Sequence, residues 1–219
     1  ADGPRPEWHI NHSVRVGADF LPSDSDELSI GFYRGRKIEG RTAEYVYDNF
    51  YGDINENRLG DPRDILIFNP NTHERVGYFT TAAFDYTHRF TSGGVLTGSF
   101  LYEFSNLYSD LFNSDISLMD HNSGDTLLGY RQHDDNPLNG YRLDLQYAVP
   151  VAGEHQFSFG FQPQFLSQRG IFHYDTLNVN DHQWNPYTEF ENDASLTRWI
   201  HAGFLNLQGA IRSLDYSAG

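Results

Sequence analysis

The chain has 219 residues, with 15 Lys or Arg against 30 Asp or Glu, a formal charge of -15 at neutral pH, and no cysteine. That charge has the wrong sign for a phosphate backbone, which sets nucleic acid aside as a partner; the missing thiols remove disulfide frameworks and thiolate metal sites but leave the redox compartment open. A mean hydropathy of -0.58 and the lack of a long apolar run exclude a transmembrane helix, whereas 17 Phe, 14 Tyr and 20 Gly favour strands and tight turns.

The opening residues, ADGPRPEW, hold no basic segment followed by an apolar one, so either a signal peptide has been removed or this is not the native start. Alternation of apolar and polar residues then predicts eight strands. Ser13 to Leu21 sets Val14, Val16, Ala18 and Phe20 against Arg15, Gly17 and Asp19; after the turn PSDSD, Glu27 to Arg34 sets Leu28, Ile30 and Phe32 against Ser29 and Gly31. Gly77 to Phe90 alternates Tyr78, Ala82, Phe84, Tyr86 and Phe90 with Thr81, Asp85, Thr87 and Arg89, and beyond TSGG, Val95 to Ser105 alternates Leu96, Phe100, Tyr102 and Phe104 with Thr97, Ser99 and Glu103. Gly140 to Val149 pits Tyr141, Leu143, Leu145 and Tyr147 against Arg142, Asp144 and Gln146. In the sixth strand, HQFSFGFQPQF from His155 to Phe165, Phe157, Phe159, Phe161 and Phe165 share a side. The seventh, Leu196 to Ala210, starts with Ile200, Ala202 and Phe204 on one face and then shifts to Leu205 and Leu207, which predicts a bulge near Phe204. The eighth begins at Leu214.

The connections alternate in length. Short ones are expected near 22–26, 91–94, 150–154 and 211–213, and long ones near 35–76, 106–139 and 167–193. Sorting by parity is the habit of up-and-down outer-membrane barrels, with short periplasmic turns and longer extracellular loops. The expected fold is therefore all-β: an antiparallel up-and-down transmembrane β-barrel of outer-membrane type, present as a segment of about eight strands. Tyr78, Phe90, Tyr102, Phe104, Tyr141 and Tyr147 gather at strand ends, as aromatic girdles do.

Laid end to end, YRQHDDNPLNGYRLDLQY, QPQFLSQRGIFHYDTLN and ENDASLTRWIHAGFLNLQGAIRSLDYSAG resemble the barrel region of TonB-dependent outer-membrane receptors of the Bacteroidota type, a likeness running from about Ile10 to Gly219. The resemblance implies a barrel of about 22 strands around an N-terminal plug, with a TonB box that couples the proton-motive force to nutrient uptake. Neither plug nor box is visible in this sequence, and the last residues, Ala218 and Gly219, fall within a strand, so an internal piece of a longer protein is expected. The implied partners are outer-membrane lipid, a nutrient ligand, the remaining strands, the plug and TonB, with partner subunits if the chain serves an outer-membrane complex. An isolated eight-stranded sheet would leave two long edges needing cover.

Candidate chemistry is sparse, and no catalytic, cofactor or metal residue is assigned. Asp120-His121, His133-Asp134-Asp135, His173 with Asp175, and Asp181-His182 read as solvated loop residues, because neighbours on a loop seldom face one ion. DINENRLGDPRD offers Asp53, Asn55, Asn57 and Asp64 at calcium-loop spacing but has Arg58 where the turn needs glycine, which rejects an EF-hand. His88 and His201 read as interfacial or lumen-facing residues rather than bases, Asp85, Glu103, Arg142 and Asp144 as hydrated lumen residues, and Gly17, Gly31, Gly98 and Gly160 as inward positions of close approach. The long connections, rich in Asp, Asn, Tyr and Phe, suit recognition of sugars or peptides. Two alternatives stand beside the receptor: an outer-membrane barrel enzyme acting on lipid, and a soluble β-sandwich or lectin-like module.

Overall fold

The computed structural model of the chain describes residues 5–53, 57–61, 63–119, 124–153, 155–211 and 214–219. Nine strands form one antiparallel sheet: β1 (Glu7–Ser23), β2 (Asp26–Asn49), β3 (Ile65–Arg89), β4 (Val95–Ser117), β5 (Thr126–Pro150), β6 (Gln156–Asn178), β7 (Gln183–Pro186), β8 (Asn192–Ile211) and β9 (Leu214–Ala218). Each long strand pairs with the next in sequence, up and down. The short β7 pairs with the end of β6 from Asp175 to Asn178, in line with β8, which pairs with β6 from Gln156 to Phe172. β1 and β9 do not meet, so the sheet is unclosed.

Hydrogen-bonded rows cross the sheet and fix which side chains share a face. One row runs Val16, Phe32, Ala82, Tyr102, Tyr141, Phe165, Trp199, and another Phe20, Leu28, Tyr86, Gly98, Leu145, Phe161, Gly203. The neighbouring row on the opposite face runs Asp19, Ser29, Asp85, Ser99, Asp144. On the apolar face no Asp, Glu, Lys or Arg stands within 14–20, 28–32, 82–88, 96–104, 141–149, 157–165 or 199–207. These segments measure up to 9 residues, in keeping with the roughly 9 to 11 that a tilted strand needs to cross hydrocarbon.

None of the described residues covers that face. Among the described residues the buried apolar side chains are Ala43 and Val76, whereas Phe20, Phe161 and Leu205 are 61%, 47% and 64% exposed. A water-soluble domain of this size buries most of its apolar surface, and a sandwich would bury these rings against a second sheet. The single layer therefore rules out the β-sandwich alternative and leaves hydrocarbon as the solvent that this face fits.

Aromatic rings frame the belt. Tyr102 meets Tyr141 at 5.1 Å, Tyr141 meets Phe165 at 6.0 Å and Phe165 meets Trp199 at 4.5 Å between ring centroids, forming one line far from the short turns. Nearer those turns Phe90, Tyr147 and Phe159 follow one another at 5.8 and 5.7 Å. The aromatics thus form two girdles, but Tyr102 and Tyr141, expected at strand ends, stand inside β4 and β5, which run on beyond the outer girdle.

Three expectations need correction. The segments 35–76, 106–139 and 167–193 are mostly strand: β2 and β3 run on to leave 50–64 as the connection, β4 and β5 leave 118–125, and β6 and β8 leave 179–191 with β7 inside it. The four-residue β7 stands beside the eight strands that the sequence indicates. No bulge occurs near Phe204, because β6 and β8 pair without a register shift; Leu205 and Leu207 belong to the apolar face, and Ile200, Ala202 and Phe204 to the polar one. Finally, Gly98 lies on the apolar face between Tyr86 and Leu145, not inward.

The turns near 22–26, 91–94 and 150–154 fall between strand ends as expected, while Glu154, Arg212 and Ser213 lie outside the described residues. Glycine is required at Gly93, whose φ of 84° lies in the left-handed region, inside the turn closed by Phe90 N–H to Gly94 O at 2.8 Å. Gly160 is required for space: a Cβ there would lie 2.3 Å from the Phe204 ring and 2.9 Å from the Leu145 carbonyl oxygen.

Two outcomes follow for unfolding of the protein from lipid vesicles in urea. Phe161→Lys, at the middle of the belt, lowers stability by about 2–4 kcal/mol, whereas Gln162→Lys on the other face changes it by less than about 0.5 kcal/mol. Gly160→Ala costs about 1–3 kcal/mol through overpacking, and adding Phe204→Ala recovers part of the loss.

Candidate functional site

The polar face has three tiers. Level with the lipid belt it carries hydroxyls and carboxylates that bond across strands, as Ser29 Oγ donates to Asp19 at 2.6 Å and Ser99 Oγ to Asp85 at 2.5 Å. Glu103 stands opposite Gly140, and Arg142 opposite Leu101 and Gln164; none of the ion pairs among the described residues includes Arg142, so its charge is left to the aqueous side, as for a hydrated lumen residue. Gly17 and Gly31 face each other across β1 and β2, the close approach that the sequence indicates.

Above the belt, where the strands leave the membrane, charges of both signs converge on the same face. The row His9, Glu39, Arg75, Ser109, Asp134 crosses five strands. Lys37 Nζ lies 2.7 Å from Glu39, and that hydrogen bond, with the charges of Lys37, His9 and Arg75, holds the Glu39 carboxyl below the usual range. Lys37, Glu39, Arg75, Phe79 and Ser109 line part of an open groove of about 430 Å³.

One serine and histidine pair sits here. His73 Nε2 lies 3.0 Å from Ser109 Oγ, and Arg75 Nε donates to the same nitrogen at 3.3 Å. Partial burial, then Arg75 and Arg41, lower the affinity of the imidazole for a proton. The described residues give His73 no hydrogen-bonded carboxylate to orient it, the third member that nucleophile activation needs.

The third tier is aromatic. Tyr130 stacks on Tyr174 at 5.6 Å, Tyr174 meets Phe190 at 5.3 Å and Tyr187 at 6.3 Å, and Tyr187 meets Phe190 at 4.9 Å. Tyr187 N–H donates to the Tyr174 carbonyl at 2.7 Å, which pins the 179–191 connection over the end of β6. Tyr187 and Phe190 remain 40% and 56% exposed. Composition foretold aromatic connections; the grouping of these four rings needed the pairing of β5 with β6.

The remaining candidates are dispersed. Asp134 faces opposite to His133 and Asp135, as strand alternation requires. His133 approaches Asp110 at 2.6 Å and stacks at 6.5 Å on His173, while Asp175 pairs with Arg131 at 2.7 Å, all on the continuation of the apolar face. Asp181 accepts from Gln183 N–H, Asp53 from Asn57 N–H and Asp64 from Tyr51 N–H. Asp120, His121 and Asn55 lie outside the described residues. Among the described residues no three His, Asp or Glu converge to hold a metal ion.

His201 is not lumen-facing: it lies on the apolar face between Phe161 and Trp199, its ring parallel to both at 6.0 and 6.2 Å. His88 sits at the rim, 2.7 Å from Asp26. Asp26 also accepts from Ser23 Oγ at 2.6 Å and Tyr86 OH at 2.7 Å. These bonds, that of Ser23 first, then those of Tyr86 and His88, hold its carboxyl well below the ordinary range.

A single-layer antiparallel sheet with one lipid-fitting face and one hydrated face defines an outer-membrane barrel wall. Residues 42–219 match the model of the outer membrane protein beta-barrel family, and the chain belongs to that family; its place is the bacterial outer membrane. No curated protein matches the chain.

A carboxyl whose affinity for protons is depressed by folding stabilises the fold above the unfolded group's range and loses that contribution as pH falls through its folded value. The protein is therefore expected to lose stability on acidification below about pH 4, and Asp26→Asn to flatten that dependence. Urea midpoints measured in vesicles across that range check it.

Proposed function

We propose that this chain forms part of the wall of an outer-membrane receptor similar to TonB-dependent receptors, serving energy-coupled uptake of a polar nutrient. One observation carries the proposal: the face turned from lipid bears, in order from the short turns, a carboxylate tier, a mixed-charge groove around Glu39 and Arg75, and an exposed aromatic cluster around Tyr174. Stacking rings at an entrance and charges of both signs below it suit a hydroxylated or zwitterionic solute such as an oligosaccharide or a peptide.

The unclosed sheet supports a wall wider than the strands described. In hydrocarbon an unpaired strand edge costs several kcal/mol for each exposed backbone group, so the β1 edge calls for a further strand, from the same protein or a partner subunit. The short turns then face the periplasm and the 50–64, 118–125 and 179–191 connections face outward. In this role the protein captures and passes a ligand without chemical change.

Cells carrying the full-length gene are expected to accumulate at least one of three fluorescent probes, a ferric chelate, an oligosaccharide or an oligopeptide. Accumulation is abolished by a protonophore and by deleting the gene. Uptake of every probe unaffected by deletion overturns the proposal.

A further inference from the structure

We propose that the membrane face of β1 to β3 carries a binding site for the phosphorylated headgroup of a lipid, built from Arg34, Arg36 and His12. The inference rests on the apolar face meeting lipid and is independent of what the barrel transports.

The outer girdle changes character along the sheet. Across β4, β5, β6 and β8 it consists of rings, Tyr102, Tyr141, Phe165 and Trp199. On β2 the same face carries Arg34 and Arg36 directly after Phe32, the last apolar residue of that segment. His12 pairs with Arg36 and Val14 with Arg34 on one side, Tyr78 and Thr80 on the other. Val14, Phe32, Arg34, Arg36 and His12 are all exposed. The two arginines alternate with Gly35, so their Cα atoms are about 6.7 Å apart and their side chains leave the sheet in the same direction.

Such a pair needs an explanation. Two like charges side by side repel, and this chain has 30 acidic residues with which to neutralise them. Nonetheless, no ion pair among the described residues includes Arg34, Arg36 or His12. Their neighbours on this face are Val14, Ile10, Ile38, Thr80, Tyr78 and Val76, none of them acidic. Five other arginines are matched with carboxylates, among them Arg131 with Asp175, Arg169 with Asp193 and Arg89 with Glu27, whereas Arg142 on the hydrated face is not. No described carboxylate neutralises this pair, which leaves its charge open to a bound anion.

The location selects which anion supplies it. The site is a shallow recess of about 400 Å³ bounded by His12, Val14, Arg34, Arg36 and Tyr78, immediately above residues that fit acyl chains. A lipid lying against Val14, Val16, Ile30 and Phe32 brings its headgroup to this height. Arg36 lies 5.4 Å from the centre of the Tyr78 ring and also bonds the Tyr108 side chain, contacts that steady the guanidinium beside the recess. A guanidinium fork matches the geometry of phosphate oxygens.

The test uses the full-length protein in phosphatidylcholine vesicles doped with fluorescent diphosphoryl lipid A, or with the same glycolipid stripped of phosphate. Energy transfer from protein tryptophan reports binding. Wild type is expected to prefer the phosphorylated lipid, and that preference to weaken as salt rises. Arg34→Gln with Arg36→Gln reduces the preference by about tenfold or more, given what each basic residue contributes at an anionic surface. Arg34→Lys with Arg36→Lys retains most of it, and Arg142→Gln on the opposite face leaves it unchanged. Equal binding of both glycolipids by wild type, or equal preference in wild type and the Gln pair, overturns the proposal. Competition by inorganic phosphate as effective as by lipid overturns it too, since it would mean a free-anion site. The urea experiment on Phe161→Lys separately tests the lipid-facing assignment.

Discussion

A peptide group in hydrocarbon has no water to bond to, so every N–H and C=O that crosses the membrane must find a partner in the protein. That constraint explains why the ladder is so regular. The two register shifts between strands fall at Phe20/Ser23, beside a short turn, and at Asp115/Ile116, beside a long connection. Both lie at strand ends, where water can complete the bonding. Within the belt the pairing pauses only around Pro163, which has no N–H to give, and it resumes in the same register. Proline is tolerated there because β8 continues to pair along the other side of β6.

Once the ladder is fixed, the two faces follow from alternation alone, and each meets a different solvent. The lipid side is uniform: rings and branched chains with few specific contacts, since any acyl chain satisfies them. The polar side is differentiated by height, from hydroxyl–carboxylate bridges to a mixed-charge groove to a cluster of rings. Specific recognition has physical means only on that side and at the membrane boundary, where an aromatic girdle on most strands gives way to arginine on β2.

The faces of the first six strands were legible in the sequence because lipid on one side and water on the other give the largest possible contrast with period two. The same contrast explains the failures. Beyond Arg36 the run KIEGRTAEYVYDN has water on both sides, so charged residues stand on both faces, the period vanishes, and a strand passes for a loop. In β8 the signal fails for the opposite reason, as Ile200, Ala202 and Phe204 put apolar groups on the polar face. Phe204 is accommodated by the space over Gly160, a relation between strands that β8 by itself does not encode. The aromatic cluster lay beyond reach for a similar reason: Tyr130 and Tyr174 are distant in sequence and meet only through register.

With 24 residues at about 3.3 Å each, β2 extends roughly 80 Å, while the bilayer interior takes up about 30 Å. The wall is thus a tall parapet as much as a membrane span. A solute arriving from outside meets it far from the lipid surface, and the screening length of salt water, about 8 Å, is short against that height. The field of the anionic bilayer fades long before the aromatic crest, so first contact is governed by the protein's own local charges, insulated from the membrane on which it stands.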